Sequence, residues 1–550
     1  VSRRLRALVG LLAAPLPIIA LGAGAAPALA AGAPARTSAV AGDLLPGLSH
    51  SVATGAVAPD RRISVQLSLA PRNREGLAAF LAQVANPDSA QYKHYLTVRQ
   101  FADRYGADAA TVARVTAFLT AQGLKVGAPT ANRLSLSASG TAAQLERAFG
   151  TRLATFHEPR SGRDFFANTL APRLPAAIAS AVTDISGLND YARFTSHAVP
   201  AKPAPHTGAR AVTGLTPPKA RSAYNLNSAI NAGYTGAGST VALLEFSAFA
   251  QSDIAAYDSH FALKPSTPTV VNVSGGTTDL SGEVEDELDI EVVQAIAPGS
   301  TVKVYEAPNS DAGETAVYAQ LVSDDVPVIS TSWGIDEADE TPSNLTAVHT
   351  DLQEAAAQGQ SVYAASGDSG SDDAGNGGTS VDFPASDPSV TGTGGTTLKL
   401  SSTGAWSGET AWSGSGGGVS SEFATPGYQA SVNGGSKRTV PDVAADADPS
   451  SGWAVYSQGS WGEVGGTSAA APNWAAFTAI YDDEAKAKGK PAFGFANPTL
   501  YTLAESSQYH SAFHDVTSGS NGAYNAGTGY DDVTGWGSYN GAGFLGAELG

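Results

Sequence analysis

The strongest constraint on the fold is a series of near-continuous apolar runs separated by helix-patterned segments in the second half of the chain. STVALLEF (239–246), TVKVYEA (301–307), VPVISTSW (326–333) and SVYAASGD (361–368) each read as a strand buried on both faces. Between them ELDIEVVQAIA (287–297), ETAVYAQLVSDD (314–325) and NLTAVHTDLQEAAAQG (344–359) carry helical spacing. Strands of this kind joined by helices predict an α/β fold, a doubly wound parallel sheet covered on both sides. In such a sheet the site is expected at the carboxyl ends of the strands.

The first half reads differently. RRISVQLSLA (61–70) alternates like a strand, 73–86 and 109–123 have helical spacing, and RLSLSASG (133–140) alternates again. A short helix over 141–150 and a strand over 151–158 follow. This β-α-α-β-α-β order predicts a compact α+β domain of the split βαβ, ferredoxin-like kind over 42–195. SHAVPAKPAPHTGARAVTGLTPP (196–218) is rich in Pro, Ala and Gly, and reads as a linker open to proteolysis before a second domain over 219–550. At the start, Arg3, Arg4 and Arg6, an apolar run and Ala28-Leu29-Ala30 predict a signal peptide over 1–30 with cleavage after Ala30. A membrane anchor is the alternative, but prolines and glycines interrupt the run. A secreted, extracellular protein, free of the membrane once the leader is removed, is expected.

The chain has no cysteine, which excludes disulfides, thiol nucleophiles and cysteine zinc sites. Charge is unevenly placed: residues 1–210 hold 22 Lys and Arg against 11 Asp and Glu, whereas 211–550 hold 10 against 40. So acidic a second part disfavours nucleic acid as a partner. The two parts are expected to attract near neutral pH and to separate as carboxylates are protonated. A monomer is expected.

GGTSAAAP (465–472) sets Ser468 between a glycine turn and a run able to open a helix. A serine nucleophile needs a base within hydrogen-bond reach. No His-Gly dipeptide occurs, and of nine histidines only His260, His349, His510 and His514 follow the linker. Carboxylates are the remaining bases. In SGEVEDELDIEVVQAIAPG, Glu285 and Asp289 are four apart, so on a helix they share a face, can share a proton and can accept one from a serine. On spacing alone, an acidic helix start favoured by the helix dipole is the competing reading. SVYAASGDSG puts Asp368 just after a strand, where a protonated carboxyl could donate to an oxyanion in an acidic medium. An ordinary Asp-Ser-Gly turn is the alternative there.

Taken in order, EDELDIE, GDSG and GGTSAAAP resemble the motifs of the sedolisins, the serine-carboxyl peptidases, and among them the kumamolisin-like secreted bacterial enzymes. The resemblance implies a subtilisin-like fold, with Ser468 as nucleophile, Glu285 as base, Asp289 as its orienting partner and Asp368 at the oxyanion. It also implies that Glu245 in ALLEF and Trp333 in STSWG extend the carboxyl network. Residues 42–195, including NPDSAQYKHYLT, look like a prodomain that assists folding and inhibits its own chain until removed. FHDVTSGSNGAYNAGTGYDDVTGWG is similar to the family's calcium loop, which implies one structural Ca2+ held by the side chains of Asp515 and Asp531 and the carbonyls of Val516, Gly527 and Gly529. Asp382 in VDFPA lies where a kumamolisin-like enzyme could offer a negative charge to a basic substrate side chain. The implied activity is that of an acid-active endopeptidase hydrolysing protein and peptide substrates through an acyl-enzyme and a Ser-Glu-Asp triad. It is expected to be made as a zymogen that cuts itself between about Ala201 and Leu215.

Overall fold

A computed structural model describes residues 36–159, 161–201, 212–263 and 267–550. The leader expected over 1–30, and residues 202–211 of the expected linker, lie outside the described residues. Thr37–Gly550 pack as one compact unit.

In the front part, β1 (Arg62–Leu69), α1 (Arg74–Val84), α2 (Ala109–Ala121), β2 (Ser135–Thr141), α3 (Ala142–Phe149), β3 (Leu153–Glu158) and β4 (Val182–Ser186) follow the predicted order closely. Their starts are fixed by side-chain caps: Asp108 accepts the Thr111 N–H ahead of α2, and Thr141 with Gln144 closes a capping box ahead of α3. An antiparallel sheet runs in the order Lys125–Val126, β2, β1, β4, and seals Leu67, Leu136, Val115, Leu145 and Phe149 against the helices. The strand expected at 151–158 does not complete this sheet. As β3 it pairs instead with Val52–Ala56 and, through a short turn, with Arg163–Asn168. The local hairpin takes β3, and β4 fills the vacant edge.

The second part holds β5 (Thr240–Glu245), α4 (Glu283–Ile296), β6 (Thr301–Glu306), α5 (Asp311–Ser323), β7 (Val328–Thr331), α6 (Pro342–Gln358), β8 (Ser361–Ala365), β9 (Thr391–Leu400) and α7 (Thr467–Ala487). The sheet order is Thr269–Asn272, β6, β5, β7, β8, β9, with every neighbour parallel, and Trp406–Ala411 closes the far edge antiparallel. α4 and α7 contribute to the core on one face, α5 and α6 to that on the other. From β5 the chain passes first to the edge strand Thr269–Asn272, fills the gap between them with β6, and then crosses to β5's other edge with β7. That reversal opens a crevice beyond the strand ends, where Glu245 ends β5 and Thr331 ends β7.

α5 and α6 also carry the front part. Asn132 donates to Glu354 (2.7 Å), Ser343 to Asp43 (2.6 Å) and Asn189 to Asp311 (3.1 Å). Among the described residues, the ion pair that crosses between 36–201 and 212–550 is His197–Asp382. Charge attraction across the parts is seen at His197 and at Lys93, on which Glu548 and Asp482 act, and beside it buried carboxyls receive neutral donors. Burial raises Asp43 well above the usual carboxyl range, with Asp184 adding to it, and raises Asp311 to about 7. A raised carboxyl contributes to docking at acid pH and loses that contribution as pH climbs through its docked value. For these two groups the sign is opposite to release by acidification, whereas the attractions at His197 and Lys93 weaken as their carboxylate partners are protonated.

Candidate active site

Ser468 is the second residue of α7, entered through Gly466 at φ +101°. A Cβ on Gly466 would lie 1.8 Å from the His197 carbonyl oxygen and 2.7 Å from Asp368 Oδ2, so both the backbone conformation and the space require glycine. The buried Ser468 Oγ donates to Glu285 Oε2 at 2.8 Å. Glu285 stands in the first turn of α4, and Asp289 lies one turn further along the same helix. The serine thus faces a carboxylate where the commoner hydrolases offer an imidazole.

Behind Glu285 lies a chain of buried acids. Ser332 Oγ donates to both oxygens of Asp289 at 2.9 Å, and Trp333 Nε1 donates to Glu245 Oε2 at 2.7 Å. Glu245 is hydrogen-bonded to Asp289 and also to Asp286. Burial, reinforced by Glu245, pushes Glu285 and Asp289 upward; burial raises Glu245 to about 7, held down in part by its hydrogen bonds with Asp286 and Trp333. Sequence reasoning brought forward Glu285, Asp289, Glu245 and Trp333 and passed over Asp286. The signal available was the unbroken acidic run Glu285-Asp286-Glu287, in which the middle residue read as a spacer.

Asp368 lies just past β8. Its Oδ1 accepts the Thr467 N–H and Oγ1, each at 2.8 Å, while no donor reaches its Oδ2. Burial raises it to about 6 against the lowering effect of His197 and Thr467. Below that value Asp368 is neutral and has a proton to donate.

The front part ends inside this crevice. Thr195–Ser196 pair antiparallel with Trp333–Asp336, Thr195 facing Gly334, and the His197 N–H donates to the Ser332 carbonyl at 3.2 Å. Val199–Pro200 pair antiparallel with Ser460–Gly465, and the Ala201 N–H donates to the Glu463 carbonyl at 2.8 Å. The His197–Ala198 peptide lies between these two ladders, its carbonyl beside Gly466 and Asp368 Oδ2. The His197 ring, buried, pairs with Asp382 at 3.2 Å. Burial alone would depress His197, but Asp382, with Asp368 and Asp373, raises it to about 10, so the imidazole is cationic there. His197 was missed in sequence because its acidic partners are far away along the chain.

In the C-terminal loop, Asp515 Oδ1 accepts the Gly529 N–H (3.1 Å) and Asp531 Oδ2 the Gly527 N–H (2.9 Å), while Asp531 Oδ1 also accepts the Val533 and Thr534 N–H groups. Each carboxylate is thus tied to the segment 527–529. Among the described residues no group of three or more His, Asp or Glu side chains could hold a metal, so carbonyls would have to supply the remaining ligands. Two carboxylates and nearby carbonyls, all hard oxygens, suit Ca2+ and not a soft metal.

Residues 49–191 match the family described as Pro-kumamolisin, activation domain, and residues 268–536 match the subtilase family. The chain is 34% identical over 537 residues to kumamolisin of Bacillus sp. (strain MN-32), covering 91% of this chain and 94% of that one. It is 31% identical over 517 residues to sedolisin of Pseudomonas sp. (strain 101), covering 86% and 85%. Among solved structures it is similar to Pseudomonas sedolisin, a serine-carboxyl proteinase complexed with two molecules of pseudo-iodotyrostatin. There the TM-score is 0.55 and the identity 32%, covering 62% of this chain and 98% of that one.

Proposed function

The chain belongs to the sedolisin family of serine-carboxyl peptidases, made as a zymogen with its own prodomain, and from that premise we propose a secreted, acid-active endopeptidase that processes itself. The observation carrying this reading is the 2.8 Å hydrogen bond from Ser468 Oγ to Glu285. Ser468 Oγ attacks the substrate carbonyl carbon as its proton passes to Glu285. Asp289, pinned by Ser332 and backed by Glu245, orients Glu285 and shares its proton. The oxyanion forms beside Asp368, whose neutral carboxyl donates from Oδ2 together with a backbone N–H at the start of α7. Glu285 returns the proton to the leaving amine as the C–N bond breaks, and water then releases the acyl group by the same steps in reverse. The acidic pocket at Asp382 favours a cationic side chain on the acyl side of the cut, as His197 illustrates.

The bond proposed for self-cleavage is His197–Ala198, which lies between the two ladders with its carbonyl beside Gly466, upstream of the window between Ala201 and Leu215 expected from linker composition. Self-cleavage there predicts that the full-length chain, incubated at acid pH, yields a new N-terminus at Ala198 by mass spectrometry, whereas Ser468→Ala yields none. If the Ser468→Ala precursor matures alone as fast as the unaltered chain, the self-processing reading is wrong.

A Ca2+ ion would be held by Asp515, Asp531 and the carbonyls of Val516, Gly527 and Gly529. When bound, it would close a segment that no disulfide can secure. Chelation should lower the melting temperature of the full chain by at least about 3 °C, and Asp515→Ala should show the lower value with no further response to chelator. A melting curve indifferent to chelator would remove calcium from the account.

A further inference from the structure

Asp286 lies in the first turn of α4 and is 0% exposed, and no N–H or hydroxyl donor reaches either of its carboxyl oxygens. An ionised carboxylate in such a place carries the full penalty of lost hydration. A carboxylic acid does not, provided its proton has an acceptor. Glu245 is that acceptor: the two side chains are hydrogen-bonded, Trp333 occupies Glu245 Oε2, and Oε1 has no neutral donor. The charged groups acting most on Asp286 are Glu245 from β5 and Glu285 and Asp289 from its own helix, all acids, while Glu306 at the end of β6 adds to the field at Glu245.

We propose that Asp286 is a positioning residue of the catalytic network: it keeps its proton, donates it in a hydrogen bond to Glu245, and with Trp333 fixes Glu245 as the acceptor for Asp289. The inference rests on the reading of Glu285 as the base. With donors on several sides, Glu245 accommodates the first negative charge of the network. This lowers the pH at which the network gives up one proton and Glu285 becomes available as a base. Asp286 stays neutral on both sides of that step, so its loss changes hydrogen bonding and not net charge.

The test compares kcat/KM against pH for the unaltered enzyme, Asp286→Asn, Asp286→Val and Glu285→Gln. Valine removes the donor, and the acidic limb should move up by about one pH unit, the worth of one hydrogen bond to a charged group. Asparagine still donates, and its limb should stay in place. An unmoved limb in Asp286→Val overturns the inference, and so does an equal movement in both variants, which packing alone would produce. Glu285→Gln separates the two levels. If it retains activity the base reading fails, whereas an inactive Glu285→Gln beside an unmoved Asp286→Val limb defeats the role of Asp286 alone. Should Asp286→Val not fold, infrared spectra of the Ser468→Ala full chain at neutral pH decide. Adding Asp286→Asn should delete one protonated-carboxyl stretch, and an unchanged band would mean that Asp286 is ionised and the proposal wrong.

Discussion

Glu285→Gln should reduce hydrolysis of denatured casein or haemoglobin at acid pH by about 10³-fold, the weight of a general base that also serves as general acid. Glutamine keeps the size of the side chain and an oxygen for the Ser468 hydroxyl, which donates to Glu285 Oε2 at 2.8 Å. It cannot take the proton. The fold should not suffer: burial raises Glu285 above its unfolded value, so its contribution to stability is full at low pH and is lost as pH climbs through its folded value. A neutral isostere removes that dependence, and the melting temperature near neutral pH should stay level or increase. A rate within tenfold of the unaltered enzyme, at matched protein concentration, would mean that some group other than this carboxyl activates Ser468.

Asp368 should govern the alkaline side of the pH profile. Its neutral form is the one that can donate to an oxyanion, and burial places its titration at about 6. Above that pH the donor becomes a buried anion beside the developing negative charge, and kcat/KM should fall about tenfold per pH unit. Asp368→Ala should lose about 10²–10³-fold at the acid optimum, the usual consequence of deleting one oxyanion donor. Asp368→Asn retains an oxygen for the Thr467 N–H and hydroxyl, which meet Oδ1 at 2.8 Å. It presents an amide N–H that does not titrate, so its alkaline limb should move above that of the unaltered enzyme. If the limb remains where it was, another group sets it.

The parallel sheet was legible in sequence because strands buried on both faces are long apolar runs, and β5, β6, β7 and β8 each fall within the run that predicted them. Ser468 stood out in sequence as a candidate nucleophile for a local reason, the glycine turn before it, and Gly466 at φ +101° does lead into α7 directly ahead of it. Glu285 and Asp289 were visible as a helical spacing, but only the fold shows that this acidic helix is buried and not solvated. Glu245 and Trp333 carry no signal of their own; they meet because β5 and β7 lie side by side at the sheet's reversal. The pairing of β3 was missed for the opposite reason, a neighbouring hairpin outcompeting the longer connection that the pattern of elements suggested. His197 is wholly a product of tertiary structure, an imidazole made cationic by carboxylates distant in sequence.

If substrate binds as Thr195 through Ala201 do, the two ladders that hold this stretch set what kind of protein could be cut. Main-chain pairing on both sides of the His197–Ala198 bond demands a fully extended stretch, roughly 23 Å for seven residues, where a helix of that length spans about 10 Å. A folded loop or helix does not enter; the substrate must surrender its own hydrogen bonds first. Acid does that work on many proteins by protonating the carboxylates that pair in their native states. Under the proposed mechanism, the condition that keeps Asp368 neutral would therefore also be the one that loosens the substrate, so that the same protons would prepare catalyst and prey.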